Sequence, residues 1–470
     1  MTLRFKNKIE ILFYKFFKNI LNIFFKREGD VLPAYILKKL DKDIFDDFSK
    51  GINSYNVPII IVTGTNGKTT TSNLISDTLK NSGKNVCTNS NGANMPNGIF
   101  GSIIGSYDLM LKFNADFIVM EVDEKVFPDI VSKLSPNVIV ITNFYRDQLD
   151  RYGEVNITVN KIKNAIRNLP YSPKLILPSY EPLGSFIGYG LNNPQIYYGF
   201  NENFFENEIN KINGFSSNLS DALTCPNCGH ILFCEKNLNK NIFLLRFNCK
   251  YCGFEGKEPE IYACKFNDKG IKGLYDKTAD KIFYFKPKLS GDYNMANYAA
   301  AYAVLKNYEL DGETIRASFE NFRSKFGRSY KSFLKGIEIN IDLVKNPTGF
   351  NRVLEKIAGE DGFINVLFAF SDRDADGRDV SWIWDVDFEA YAGKLGKIVI
   401  TGTRPFDMAI RLQTAGVNKD SIVVDHNLKS SLKRIMKICS EGGGNTGGGN
   451  KRIFILPTYT ELLKFKKYII

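Results

Sequence analysis

Residues 63–70 read Thr-Gly-Thr-Asn-Gly-Lys-Thr-Thr. A glycine turn followed at once by Lys-Thr is the composition of a loop that wraps phosphate. Backbone N–H groups face the anion, Lys68 supplies a cation for the β- and γ-phosphates, and Thr69 supplies a hydroxyl for Mg²⁺. The spacing is short. The usual nucleotide loop has a glycine five positions before Gly67, where this chain has Val62; the nearest upstream glycine is Gly64. The flanks suit such a loop: PIIIV at 58–62 reads as a buried strand, and residues 69–80 carry helical periodicity. Gly64, Thr65, Asn66, Gly67, Lys68, Thr69 and Thr70 are the expected nucleotide-binding residues, for ATP with Mg²⁺.

A second constellation is built for a metal. Of the eight cysteines, Cys225 and Cys228 form one C-x₂-C pair and Cys249 and Cys252 another, twenty residues apart. That is zinc-ribbon spacing, and each pair is followed by a glycine, Gly229 and Gly253. Four thiolates complete the tetrahedron, so the zinc is expected to be structural. Cys234 and Cys264 fall outside the knuckles and are expected to be buried or free. A local metal pattern in place of a disulfide framework points to a reducing compartment, the cytoplasm. With only two histidines, His230 and His426, chemistry that needs several is excluded.

The elements that must carry these residues read as an α/β fold. Apolar strands at 117–120, 138–142 and in KLILPS follow the first one, with helical segments between, so a parallel sheet covered on both faces is expected. The Asn- and Lys-rich stretch from about 203 to 280 breaks the rhythm and reads as an insertion holding the ribbon. GDYNMANYAAAYA returns to a helix. Short strands recur from about 330, which predicts a second, Rossmann-like α/β domain. The expected division is residues 1–50, 51–328 and 329–470, and the 470-residue length suits more than one domain.

The net charge of +11 reads either as a diffuse basic surface or as a specific anionic partner. Residues 1–27 place Phe13, Phe16, Phe17, Ile20 and Phe24 at helical spacing, with Lys15, Lys18 and Lys26 interleaved. Such a helix either lies on an anionic bilayer or docks on the protein body. No run of eighteen uncharged apolar residues spans a membrane, and no signal peptide is expected.

The short loop resembles that of the Mur ligases and the related folylpolyglutamate synthases. Further stretches fit that superfamily in order: FIVMEVDE, ITNFYRDQLDRYGE, GDYNMANYAAAYA, FGR at 326–328 and IDLVKNPTG. The resemblance implies that Glu121 binds the Mg²⁺ bridging the phosphates. It implies that Asn294 and Asn297 contact the adenine and that Arg328 and Asp342 lie near the ribose and phosphates. It also implies the reaction: ATP phosphorylates a carboxylate, and an amine attacks the acyl phosphate.

Three departures narrow this. About sixty residues precede the loop, too few for the UDP-binding domain of ordinary Mur ligases. Gln148 stands where those enzymes have a metal-binding histidine, and the four-cysteine ribbon is an addition. With ADGRDVSWIWDVDFE at 375–389 and LPTYTELL at 456–463, the chain resembles the MurT subfamily. That implies amidation of the D-glutamate α-carboxylate of lipid II with ammonia from a GatD-like glutaminase partner. It also implies a C-terminal aspartate lent to the partner's Cys–His pair: Asp379, with Asp376 and Asp385 as rivals. Residues 1–27 would then be available to hold the enzyme at the inner face of the membrane. Trp382 and Trp384 are expected as core or interface anchors. The alternatives are a free-standing Mur or folylpolyglutamate-type ligase that joins an amino acid, and a nucleotide-switched nucleic-acid binder. The ribbon lacks a dense Arg/Lys stripe, so no nucleic-acid partner is expected.

Overall fold

The computed structural model describes residues 5–25, 31–89, 93–145, 155–200, 224–238, 243–265, 272–289, 291, 293–323, 330–359, 362–373, 376–441 and 452–469. Helices α1 (Phe5–Phe25), α2 (Val31–Leu40) and α3 (Ile44–Asn53) come first. Strand β1 (Ile59–Thr63), helix α4 (Lys68–Asn81), β2 (Val86–Thr88), α5 (Pro96–Gly105), β3 (Phe117–Glu121), α6 (Phe127–Lys133) and β4 (Val138–Ile141) follow. Then come β5 (Lys174–Pro178) and β6 (Gln195–Phe200), and a separate hairpin of β7 (Phe233–Leu238) and β8 (Phe243–Asn248). Strands β9 (Ile261–Lys265), β10 (Lys272–Asp276) and β11 (Lys281–Phe285) complete a nine-stranded sheet ordered β11-β10-β9-β6-β5-β4-β1-β3-β2.

β1 and β3 are buried along their whole length, because the sheet is covered on both faces. Ile59 and Ile61 face a core shared with α3, α5 and α6; Ile60 and Val62 face the core of α4 and the helix Tyr293–Leu305. The chain winds one way from β1 to β2 and β3, and the other way from β4 onward. The reversal falls at β1, whose carboxyl end carries the glycine loop, the usual position for a ligand crevice in an open α/β sheet.

The insertion is smaller than its composition suggests. β9, β10 and β11 belong to the central sheet, β9 pairing parallel to β6 and β10 antiparallel to both neighbours. Of the described residues between Phe200 and Ile261, β7 and β8 form a separate two-stranded sheet, while Cys225, Phe247, Cys249 and Phe254 pack into the main core.

A second sheet begins at Tyr330: β12 (Tyr330–Leu334), β13 (Ile337–Ile341), β14 (Ile364–Phe370), β15 (Leu395–Gly402), β16 (Ile422–Val424) and β17 (Arg452–Pro457). The order is β12-β13-β17-β14-β15-β16, parallel except for the β12–β13 hairpin. Its two faces bury separate cores, one holding Trp382 and the other Phe465. Trp384 is half-exposed, with the Arg411 guanidinium 5.5 Å from its ring.

Helix α1 docks on the body. Ile11, Tyr14 and Leu21 are buried against the neighbouring helices, while Phe16 faces outward. Burying Ile11 alone is worth about 1.5–3 kcal/mol. Among the described residues, no helix is long and apolar enough to cross a membrane.

Candidate active site and metal centre

The loop is shaped by two glycines with no room for a side chain. Gly64 has φ +122° and Gly67 φ +89°, in the region that favours glycine. A Cβ on Gly64 would run into Thr142 and Asn143, and one on Gly67 into the Asn297 amide. The cradle is therefore lined by backbone at the amino end of α4, where N–H groups and helix dipole favour an anion. Thr69 lies half-buried in the first turn and Thr70 is buried.

Asn143, just beyond β4, straps the loop. Its side chain accepts from the Asn66 N–H at 3.0 Å and donates to the Asn66 carbonyl at 3.0 Å, while its carbonyl accepts from the Thr65 N–H at 2.7 Å. The Thr65 hydroxyl accepts from the Tyr145 N–H at 3.1 Å. Asn297 is held by Asn294 at 3.1 Å and accepts from Thr71 at 3.3 Å, so both asparagines sit against the loop.

Lys68 is buried. Its ammonium donates to the Gly64 carbonyl, to the Thr65 carbonyl at 3.2 Å and to the Glu124 carboxylate at 3.0 Å. Burial opposes its charge, but Glu124, Glu121 and Asp123 outweigh burial and hold its pKa above the ordinary lysine value. Burial pushes the Glu124 carboxyl up, against the pull of Lys68. All three acids are buried at the end of β3. Glu121 accepts from the Asn94 amide at 3.2 Å, and its N–H donates to Asn89 at 2.9 Å. The buried Glu121 carboxylate and the Thr69 hydroxyl in the first turn of α4 are hard oxygen donors of the kind that would hold Mg²⁺.

The second domain closes on the same loop. Lys345 Nζ donates to the Thr65 carbonyl at 3.4 Å, and the Asn346 amide donates to the Asn66 side chain at 3.2 Å. Asn346 also caps the helix Pro347–Ala358, accepting from the Gly349 N–H at 2.8 Å. From that helix the Arg352 guanidinium lies 4.8 Å from the Tyr293 ring and 5.6 Å from the Tyr145 ring. Asp342 ends the neighbouring strand and pairs with Lys356 at 2.9 Å. Arg328 and Gln148 lie outside the described residues.

Sequence reasoning named Glu121 but missed Glu124, Asn143, Lys345 and Asn346. All four stand inside the stretches that carried the resemblance, so position was available as a signal and contact was not.

The four cysteines meet. The sulfurs of Cys225, Cys228, Cys249 and Cys252 all lie within 4.8 Å of one another, with Cys225–Cys252 and Cys228–Cys249 at 3.5 Å. Sulfurs each about 2.3 Å from one ion lie roughly 3.8 Å apart in a tetrahedron, so the set fits Zn²⁺. Both knuckles turn through a glycine: the Gly229 N–H donates to the Cys225 carbonyl at 2.8 Å and the Gly253 N–H to the Cys249 carbonyl at 2.9 Å. The Asn227 side chain draws the Cys252 thiol down to about 6, toward the ligating thiolate, while burial pushes Cys225 up to about 12. Cys264 lies in β9, away from the cluster and half-buried; the Cys234 side chain is outside the described residues.

In the C-terminal domain the three candidate aspartates part. Asp376 is buried and accepts from the Thr460 N–H at 2.9 Å, capping the last helix. Asp379 is half-exposed and accepts from the Ser381 N–H at 2.8 Å. Asp385 is exposed.

A mainly parallel sheet with a glycine loop and buried Lys–Glu pair at its winding reversal, closed by a second α/β domain, defines an ATP-dependent ligase of the Mur type. Residues 62–231 match the Mur ligase middle domain family. A pseudomurein peptide ligase type C from Methanothermus fervidus shares this fold with TM-score 0.62 and 21% identity, covering 89% of this chain and 80% of that one. The particular family follows from the other half. Residues 343–462 match the MurT ligase C-terminal family. The MurT subunit of lipid II isoglutaminyl synthase (glutamine-hydrolysing) from Staphylococcus aureus (strain COL) is 34% identical over 87% of this chain and 88% of its own length. Its counterpart from Streptococcus pneumoniae (strain ATCC BAA-255 / R6) is 31% identical over 94% and 92%. The chain belongs to the MurT family.

Proposed function

We propose that this chain uses ATP to amidate the α-carboxylate of D-glutamate in the lipid II stem peptide, giving D-isoglutamine during peptidoglycan synthesis. The observation that carries the reading is the MurT-type C-terminal domain joined, through Lys345 and Asn346, to a Mur-type phosphate loop.

The loop backbone from Gly64 to Thr70 holds the triphosphate, with Asn294 and Asn297 toward the base and Asp342 toward the ribose and phosphates. Thr69 and Glu121 would hold Mg²⁺, which offsets phosphoryl charge when bound. A substrate carboxylate oxygen attacks the γ-phosphorus; the new O–P bond forms as the bond to ADP breaks. Lys68 offsets the negative charge that develops there. Ammonia then attacks the acyl carbon, phosphate leaves, and the nitrogen loses a proton. Ammonia needs no amino-acid pocket, so the C-terminal domain is free to dock a GatD-like glutaminase. Asp379 there orients the partner's catalytic histidine, as the acid does in a triad. The zinc ribbon is structural.

The test is mass spectrometry of lipid II after incubation with the chain, ATP, Mg²⁺ and ammonium chloride, with Lys68→Ala as control. The mass change of OH to NH₂ is expected with the wild type alone. Turnover that requires an added amino acid and ignores ammonium would instead make this an amino-acid-adding ligase.

A further inference from the structure

Helix α1 is apolar on two opposite sides. At about 100° per residue, its buried Ile11, Tyr14 and Leu21 share one side, and Ile9, Leu12, Phe16 and Ile23 fall within an arc of roughly 60° on the other. That outer stripe is in water: Phe16 is 66% and Ile23 73% exposed. A helix docked on a protein body ordinarily turns a polar face outward. The charges on α1 are Lys6, Lys8, Lys15, Lys18 and Glu10, and Glu10 lies on the buried side. Lys8 and Lys15 border the stripe on one flank; Lys6, on the other, is paired with Asp41. The turn after α5 adds Leu109 and Met110, 80% and 79% exposed, beside Asp108, whose carboxylate acts on Lys15.

We infer that the outer face of α1, with the Leu109–Met110 turn, is a docking surface for a bilayer containing anionic phospholipid. The apolar stripe enters the boundary between headgroups and acyl chains, and the flanking lysines meet the phosphates. The charge selects this occupant: among the described residues, the outward side of α1 carries Lys8 and Lys15 and no carboxylate of its own, and the neighbouring Asp108 and Asp41 face Lys15 and Lys6. The inference stands on the helix geometry and does not depend on the ligase reading.

The test is co-sedimentation of the full chain with phosphatidylcholine vesicles, with and without phosphatidylglycerol, in the absence of nucleotide. Binding is expected only with the anionic lipid, weakening as salt rises. The double variant F16S/I23S should lose at least about tenfold in partitioning, and K8E/K15E should also weaken it. F16S/I23S should unfold at the wild-type temperature, since both side chains face water. Wild-type protein that stays in solution, or variants that bind as well as wild type, would overturn the assignment. So would equal binding to neutral vesicles. A concentration-dependent dimer in sedimentation velocity, split by F16S/I23S, would assign the stripe to a second copy of the chain instead. Because no ATP or stem peptide is present, neither reading's failure can be mistaken for the other's.

Discussion

The Lys68 ammonium lies 3.0 Å from the Glu124 carboxylate, and both groups are sealed from solvent at the base of the phosphate loop. The cation is thus held in place before any phosphate arrives. A γ-phosphate would compete with Glu124 for Lys68, so the lysine needs little reorganisation to change partners.

Lys68→Ala should lower kcat roughly a hundred- to a thousand-fold, the usual loss of one preorganised charge partner. It also leaves Glu124 buried without its cation, a loss of about 3–5 kcal/mol in stability. The double variant K68A/E124Q should recover much of the unfolding temperature and none of the activity. Calorimetry and ATP turnover on the two proteins separate the two effects.

Asn143→Ala removes both hydrogen bonds that its amide makes to Asn66. Each is worth about 0.5–1.5 kcal/mol, so ATP affinity should fall about tenfold as the loop loosens. Titration calorimetry with a non-hydrolysable ATP analogue checks this, and unchanged affinity would assign the strap to stability alone.

The ribbon should bind one Zn²⁺ per chain, measured by elemental analysis of the purified protein. Cys249→Ser should abolish it, because Cys249 is a buried member of the cluster. Since Cys225, Phe247, Cys249 and Phe254 share a core with Phe186 and Leu183, a lower unfolding temperature should accompany zinc loss.

Asp379→Asn should leave ammonium-driven amidation intact while abolishing glutamine-driven amidation in the complex with the glutaminase. Asp385→Asn is the control for a neighbouring exposed acid. If Asp379→Asn leaves the glutamine-dependent rate unchanged, Asp379 has no part in the partner's chemistry.

The docking of α1 should weaken as pH rises. Burial first, then Asp41, pushes the Glu10 carboxyl from near 4.5 up to about 7. The folded chain keeps this proton where the unfolded one has lost it. Its contribution is full below the unfolded value and is lost as pH rises through about 7. After allowance for partial exposure the effect is about 1 kcal/mol. Glu10→Gln should flatten this part of the thermal stability profile between about pH 5 and about pH 8.

Local spacing made part of this legible. The loop, the strand before it and the cysteine pairs are set by residues a few positions apart, and the structure brings each set together. What spacing could not supply was the third dimension. In Glu121-Val122-Asp123-Glu124 the sequence offered three acids; only the fold puts Glu124 on Lys68. Lys345 acts on a loop 280 residues earlier, and no local pattern announces that. β10 and β11 hid in an Asn- and Lys-rich stretch because they end the sheet: β11 is its edge strand, and in both strands half-buried or exposed positions interrupt the buried ones. On α1 the phenylalanine stripe drew the eye, yet the body takes Ile11, Tyr14 and Leu21: a helix apolar on two sides does not declare which one is inward.

β6 and β9 lie side by side and run the same way, with Tyr198 opposite Ile261 and Phe200 opposite Ala263. The ribbon occupies the path between them. A chain that leaves one end of a strand and enters its parallel neighbour at the opposite end must travel back along the strand's full length, which takes about a dozen residues or more. The connection between them is therefore a crossover, and a tight turn cannot replace it: shortening the segment that far would force β9 to reverse or leave the sheet. Engineers who wish to remove the four-cysteine cluster would need to design a crossover of comparable reach, not merely trim a decoration.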